Sequence, residues 1–132
     1  MNIKAVLFDL DGTLLPMDND EFVKAYFGTL AKHMAEFGYE PKKLIESIWI
    51  CVKAVVLNDG KLNNEKVFWD AFCKIYGEQA INDEINFEEY YKTSFQTVKA
   101  VCKPCVEAKK TIDVLKSKGI RLILATNPVF PK

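Results

Sequence analysis

The chain begins with an apolar run that ends abruptly in two acidic residues. Residues 3–8 read IKAVLF, are rich in large apolar side chains, and do not alternate between apolar and polar types. This pattern predicts a strand buried on both faces of a parallel sheet. Asp9 and Asp11 follow at once, and Gly12 permits a turn. Because ligands of open α/β sheets bind at the carboxyl ends of the strands, these acids are candidates for a functional site.

A second strand of similar character lies near the other end of the sequence. Residues 120–125 read IRLILA and follow a helical pattern over 106–118, which Gly119 ends. We expect this helix to bury Ala108, Ile112 and Leu115. Its four lysines, Lys109, Lys110, Lys116 and Lys118, are interpreted as a solvated face. Strand, helix and strand together predict an α/β fold with a partial doubly wound, Rossmann-like parallel sheet.

The residues between the two strands have the apolar spacing of helices. We predict four helices, over about 18–37, 41–57, 64–76 and 86–101, the first of them capped by Asp18. The predicted domains are therefore an incomplete α/β core, 1–15 and 102–132, and an inserted helical domain, 16–101. The second helix should bury Leu44, Ile45, Ile48, Trp49, Val52, Val55 and Val56. The aromatic series that should form the core of the insert is Phe22, Tyr26, Phe27, Phe37, Trp49, Phe68, Trp69 and Phe72.

The composition excludes several classes of partner. The 132 residues include 18 Lys+Arg and 18 Asp+Glu, so no basic field is present to attract nucleic acid. The most apolar stretch, 48–57, contains Lys53 and has about half of the ~20 residues that a membrane-spanning helix needs. No signal peptide is apparent, which favours a cytoplasmic protein. The four cysteines are too scattered for a disulfide framework, and we expect reduced thiols.

The paired acids suit phosphoryl chemistry. Asp9 could attack a phosphorus centre, while Asp11 could protonate the leaving oxygen and later deprotonate a water molecule. The spread-out negative charge of a phosphoryl group requires hydrogen-bond donors, which the backbone from Leu10 to Gly12 and the hydroxyl of Thr126 could supply. Carboxylate oxygens such as those of Asp9 are also the hard ligands that Mg²⁺ prefers.

Two segments resemble the signature motifs of the haloacid dehalogenase superfamily. VLFDLDGTL at 6–14 is similar to the first motif, and LILATN at 122–127 is similar to the second. The resemblance implies that Asp9 is the nucleophile, forming an aspartyl-phosphate, and that Asp11 is the general acid/base. It also implies that Thr126 and the Asn127 backbone bind phosphoryl oxygens, beside Leu10 and Gly12, and that the Asp9 carboxylate and Asp11 carbonyl hold Mg²⁺.

The same resemblance implies a function for the insert and for the whole protein. The insert resembles a C1-type helical cap, and the acid at position 11 favours phosphoryl transfer over dehalogenation. The implied activity is a Mg²⁺-dependent phosphatase acting on a small phosphorylated metabolite. The alternatives are a phosphomutase of the same superfamily, or a non-catalytic truncated remnant that serves as a binding module.

The sequence departs from the superfamily pattern after the second motif. The lysine of the third motif and the acids of the fourth have no match, and Lys132 follows Thr126 by only six positions, too soon for that lysine. We therefore expect the chain to be the N-terminal part of a longer protein, with a proteolytic remnant as the leading explanation and a truncated gene or an artificially short chain as the alternatives. An uncovered sheet edge would also favour self-association.

A cysteine pair and a single histidine are further candidates for function, and each has a simpler interpretation. Cys102 and Cys105 form a Cys-x-x-Cys at a predicted helix start, a setting that can support redox exchange, but this spacing also recurs by chance. His33 lies beside Leu30 and Phe37 on an amphipathic helix, where we expect a packed or surface residue and not a ligand.

Overall fold

The computed structural model describes residues 3–126, so Asn127 and Lys132 lie outside the described residues. The elements are β1 (Ala5–Phe8), α1 (Asn19–Ala35), α2 (Pro41–Val56), α3 (Asn64–Tyr76), a 3-10 helix (Glu78–Asp83), α4 (Glu84–Lys92), a second 3-10 helix (Ser94–Val101), α5 (Val106–Ser117) and β2 (Arg121–Leu124). They form two compact units, residues 3–24 with 99–126, and residues 25–98. No helix within residues 3–126 is long and apolar enough to cross a membrane.

The first unit contains the sheet. β1 and β2 pair in parallel, in a register that runs from Ala5 opposite Arg121 to Phe8 opposite Leu124. α5 precedes β2 and packs against it. The Sγ of Cys105 caps α5 by accepting a hydrogen bond from the amide of Ala108, at 3.3 Å. The predicted α/β class, with a partial Rossmann-like parallel core and additional helices, is confirmed.

The prediction that both strands are buried on both faces is wrong for the described chain. Leu7 is 62% exposed and Leu124 is 56% exposed. The three residues of α5 that were expected to be buried, Ala108, Ile112 and Leu115, are half-buried. The physical reason is that the described part of the sheet has two strands and α5 is the helix that packs against β2, so little apolar surface is removed from water.

The second unit has an aromatic core centred on Phe72, which has no exposed surface. Its ring stacks on Phe68, with the centroids 6.0 Å apart, and contacts Tyr76 at 4.7 Å. Phe87 of α4 meets Phe72 edge-on at 5.5 Å. Five of the predicted core aromatics are buried: Tyr26, Phe27, Phe68, Trp69 and Phe72.

Several apolar residues were assigned to the core wrongly. Phe37 is 41% exposed, Trp49 46% and Val56 69%. Phe37 lies beyond the end of α1, in the turn that Gly38 closes. Trp49 and Val56 were placed on a wide apolar face of α2, but this helix buries the narrower stripe Leu44, Ile48, Cys51, Val52 and Val55. Apolar side chains cover so much of the circumference of α2 that some of them lie outside the face that packs against the core.

The helix starts follow side-chain capping. As predicted, Asp18 caps α1: its Oδ1 accepts hydrogen bonds from the amides of Asp20, at 2.9 Å, and Glu21, at 3.0 Å. The Oδ1 of Asn63 caps α3 in the same way, accepting from the amide of Lys66 at 2.8 Å. Each cap satisfies backbone donors that the first turn of a helix leaves without partners.

The predicted fourth helix, about 86–101, starts near the predicted position but is wrong in its length. α4 begins at Glu84 and ends at Lys92, and the remainder is a 3-10 helix. Thr93 interrupts the α-helix with φ −119° and ψ −91°, and its Oγ1 donates to the carbonyl of Glu89 at 2.7 Å. The backbone of Thr93 leaves the helical region at this point, which apolar spacing alone does not reveal.

Candidate functional site

Strand pairing brings the ends of the two motif strands to one edge of the sheet. Beyond the last register pair, Phe8 opposite Leu124, the amide of Ala125 still donates to the carbonyl of Phe8 at 2.7 Å. Asp9 follows Phe8 directly, and Thr126 follows Ala125 directly. Asp9 and Thr126 therefore leave the sheet side by side at its carboxyl edge, where ligands of α/β sheets bind.

A tight turn follows Asp9. The carbonyl of Leu10 accepts three backbone hydrogen bonds, from Thr13 at 3.2 Å, Leu14 at 3.0 Å and Leu15 at 2.9 Å. The amide of Gly12 donates in return to the carbonyl of Leu15 at 3.0 Å. Gly12 has φ +74°, in the left-handed region that glycine adopts without strain. These bonds hold the backbone of the first motif in one conformation.

The polar groups at the start of this turn are open to a ligand. Within residues 3–126, the amides of Leu10 and Asp11 donate no hydrogen bond, and the carboxylates of Asp9 and Asp11 accept none. Asp9, Asp11 and Gly12 are exposed, whereas Leu10 and Thr126 are half-buried. Two amides without a partner among the described residues can bind an anion beside a strand end, and two such carboxylates can bind a cation or act on a proton.

Comparison with known proteins decides the family. The sequence model of the haloacid dehalogenase-like hydrolase family matches residues 3–131 of this chain. The chain belongs to this hydrolase family.

A curated relative covers nearly the whole chain. A protein of Clostridium perfringens (strain 13 / Type A), named "Putative pyrophosphatase PpaX", is 33% identical over 125 residues, which are 95% of this chain and 49% of the relative. The chain thus spans about half the length of the curated relative it matches. No solved structure gives a significant match.

The family implies a Mg²⁺ ion, and the described chain offers a small set of oxygens that could bind it. Residues 3–126 contain no cluster of three or more His, Cys, Asp or Glu side chains placed to hold a metal ion. The carbonyl of Asp11 accepts no hydrogen bond from the described residues, so it and the Asp9 carboxylate are both free to bind a cation. Mg²⁺ is commonly held by one or two carboxylates together with waters and substrate phosphate, and this small set of oxygens fits that mode.

The segment after the turn makes backbone contacts with residues 102 and 103, far along the chain. The sequence did not indicate these contacts. The amide of Lys103 donates to the carbonyl of Pro16 at 3.3 Å, and Met17 forms an isolated antiparallel bridge with Cys102. They anchor the segment that follows the turn of the first motif. No residue type marks such contacts in a sequence, because any residue except proline can donate them.

The redox interpretation of Cys102 and Cys105 gains no support from the local backbone. Residues 103–105 form neither a turn nor a bend. Both cysteines are free thiols in this structure. Cys105 serves instead as the cap of α5.

His33 is a packed residue, as predicted. Its Nε2 lies 3.2 Å from the carbonyl of Asn86, and its Nδ1 lies 3.4 Å from the Oγ of Ser94. Its ring contacts those of Phe37 and Tyr90, each at 5.7 Å between centroids. These contacts join α1 to α4 and to the 3-10 helix that follows it, which is a sufficient structural role.

Proposed function

We propose that this chain carries the nucleophilic half of a phosphatase site that hydrolyses a small phosphorylated compound. The observation that carries the proposal is the strand register, which puts Asp9 and Thr126 at one edge of the sheet beside the free amides of Leu10 and Asp11. This set combines a nucleophile with donors for the phosphoryl oxygens. Membership of a hydrolase family supports the same chemistry.

Each residue has a distinct role in the proposed reaction. The Asp9 carboxylate attacks phosphorus to form an aspartyl-phosphate, while Asp11 donates a proton to the leaving oxygen. Water then attacks the aspartyl-phosphate, Asp11 takes a proton from it, and phosphate is released. The Thr126 hydroxyl and the amides of Leu10, Asp11 and Gly12 orient the phosphoryl oxygens, with the backbone of Asn127 as a further donor.

Mg²⁺ would be held by the Asp9 carboxylate and the Asp11 carbonyl, and when bound it would neutralise part of the phosphoryl charge. The helical unit, 25–98, would act as the cap that admits the substrate. Because the relative from Clostridium perfringens carries the name of a pyrophosphatase, inorganic pyrophosphate is the first substrate to test. Its name favours hydrolysis over the phosphomutase alternative.

The test compares Asp9→Asn with Asp20→Asn, the same change at an exposed position in the first turn of α1. We expect hydrolysis of an aryl phosphate or pyrophosphate with Mg²⁺ to fall to background in Asp9→Asn and to be unchanged in Asp20→Asn. Asp11→Asn should lower the rate by roughly 10²–10⁴-fold, the usual contribution of a general acid/base. Undiminished turnover in Asp9→Asn would refute the mechanism.

A binding measurement tests the site separately from turnover. Orthophosphate added with Mg²⁺ should shift the amide NMR resonances of Leu10, Asp11 and Gly12 in the chain of 132 residues. Resonances of α3, such as that of Asp70, should stay in place. If the α3 resonances shift and those of the turn do not, the chain binds phosphate elsewhere and the proposed donors are wrong.

A further inference from the structure

The outward side of α2 is an apolar strip bordered by charges. Its residues recur at helical spacing and are all exposed; we call them the outer α2 face: Lys42, Glu46, Trp49, Ile50, Lys53, Val56 and Leu57. Ile50 is 56% exposed, Val56 69% and Leu57 71%. Trp49 is 46% exposed, because one part of its ring packs on Phe27 of α1, with the centroids 5.3 Å apart. Single exposed apolar residues are ordinary, but four large ones together on one helix face indicate an interaction surface.

Two charged residues of this face, Glu46 and Lys53, have no ion-pair partner in the described part of the chain. Glu46 and Lys53 form no ion pair with any of residues 3–126, whereas Lys61, Lys66, Lys92 and Lys109 each pair with a nearby acid. Glu46 and Lys53 lie seven positions apart on one side of the helix, a separation of about 10 Å along its axis. They are therefore too far apart to pair with each other.

We propose that the outer α2 face binds the outer α2 face of a second copy of this chain, with the two helices antiparallel. A twofold axis between Trp49 and Ile50 places Glu46 of one copy opposite Lys53 of the other, and this occurs twice. The same axis sets Trp49 against Ile50 in the centre of the contact. One patch thus complements itself, as a twofold interface requires.

The ends of the two helices fit the same register. Leu57 of one copy lies opposite Lys42 of the other, whose aliphatic stem can cover an apolar side chain while its ammonium group stays in water. A parallel arrangement would instead bring Glu46 against Glu46 and Lys53 against Lys53, which like-charge repulsion disfavours. Charge complementarity therefore selects a second copy, antiparallel, as the occupant.

The test begins with sedimentation velocity of the chain of 132 residues. The concentration series should run from about 1 to about 300 µM, because an interface of this small size gives weak, micromolar association. We expect the weight-average mass to rise from 15.1 kDa towards twice that value. A mass that stays at 15.1 kDa throughout would overturn the proposal.

Charge reversals test the register. Glu46→Lys and Lys53→Glu should each weaken the dimer by about tenfold or more, because each opposes like charges twice. The double variant, Glu46→Lys with Lys53→Glu, should restore the dissociation constant to within a few-fold of the original value. Lys74→Glu, the same charge change at an exposed position of α3, is the control and should have no effect.

The central contact provides an independent variant. Ile50→Asp should abolish the dimer, and because the side chain is more than half exposed the fold should survive, as a circular dichroism spectrum can show. A dimer that persists in both Ile50→Asp and Glu46→Lys would lie on another surface, such as the edges of β1 and β2, and would overturn the proposal. Failure of the double variant to restore dimerisation would overturn the antiparallel register.

Discussion

The helical unit, 25–98, holds the polar hydroxyl of Tyr90 in its interior. Tyr90 has no exposed surface, and its hydroxyl lies 2.9 Å from the Oγ1 of Thr29 and 3.1 Å from the carbonyl of Tyr26. Burial raises the pKa of this phenol to about 12. The hydroxyl therefore remains protonated at neutral pH and acts as a neutral donor in its contact with α1.

Tyr90→Phe should lower the free energy of unfolding by about 1 kcal/mol, the net value of one neutral hydrogen bond. The loss stays small because Tyr90→Phe leaves no buried group without a partner. The Oγ1 of Thr29 still donates to the carbonyl of Ala25 at 2.9 Å, and the carbonyl of Tyr26 belongs to a helix. An orphaned group would have added a further 1–3 kcal/mol, roughly.

The measurement is urea unfolding followed by circular dichroism at the helix band, on Tyr90→Phe, Thr29→Val and the double variant. In Thr29→Val, the Tyr90 hydroxyl can still donate to Tyr26, so that loss should also be about 1 kcal/mol. The coupling energy between the two sites should be about 0.5–1 kcal/mol. A Tyr90→Phe loss above about 2.5 kcal/mol, or a coupling energy of zero, would refute this account of the hydrogen bonds.

Three further substitutions test the turn, α1 and the core. Gly12→Ala should destabilise the chain by about 1 kcal/mol in the same unfolding assay, because φ is +74° and only the backbone conformation opposes a Cβ there. Gly28→Ala, in the middle of α1 with open space around its Cβ, should instead stabilise by about 0.5–1 kcal/mol; equal signs would contradict the argument. Burial raises the pKa of the Cys51 thiol from 9.0 to about 12. Above pH 9 the unfolded chain loses that proton while the folded chain keeps it, so stability falls as pH rises. Between pH 9 and 10 the slope should be shallower in Cys51→Val by up to about 1.4 kcal/mol per pH unit, and identical slopes would exclude Cys51 as a cause.

Local signals predicted much of the fold. The apolar runs at 3–8 and 120–125 marked the two strands, and Asp18 marked the start of the first helix, because caps and strand runs depend on neighbouring residues alone. The 3-10 helices before and after α4 were missed. The apolar spacing over 86–101 is compatible with a continuous helix, but the backbone of Thr93 leaves the helical conformation and ends α4.

The positions of the site residues could be predicted where they follow directly from the ends of the two strands. The positions of Asp9 and Thr126 at one edge require only that the two strands pair in parallel with this register. The free amides of Leu10 and Asp11 depend on where the carbonyls of Leu10 and Leu15 find their donors, which is a property of the folded turn. Residue type carries no information on that point.

What the sequence by itself determined was the type of fold, the chemistry at the end of the first strand and the family to which the motifs belong, since all three depend on the order of side chains. Only the tertiary structure decided which apolar residues are buried. Val56 is as apolar as Val52, yet it stays exposed, because burial depends on which side of α2 meets another element. That choice is made by all the packing partners together, and it leaves the outer α2 face open to a second copy.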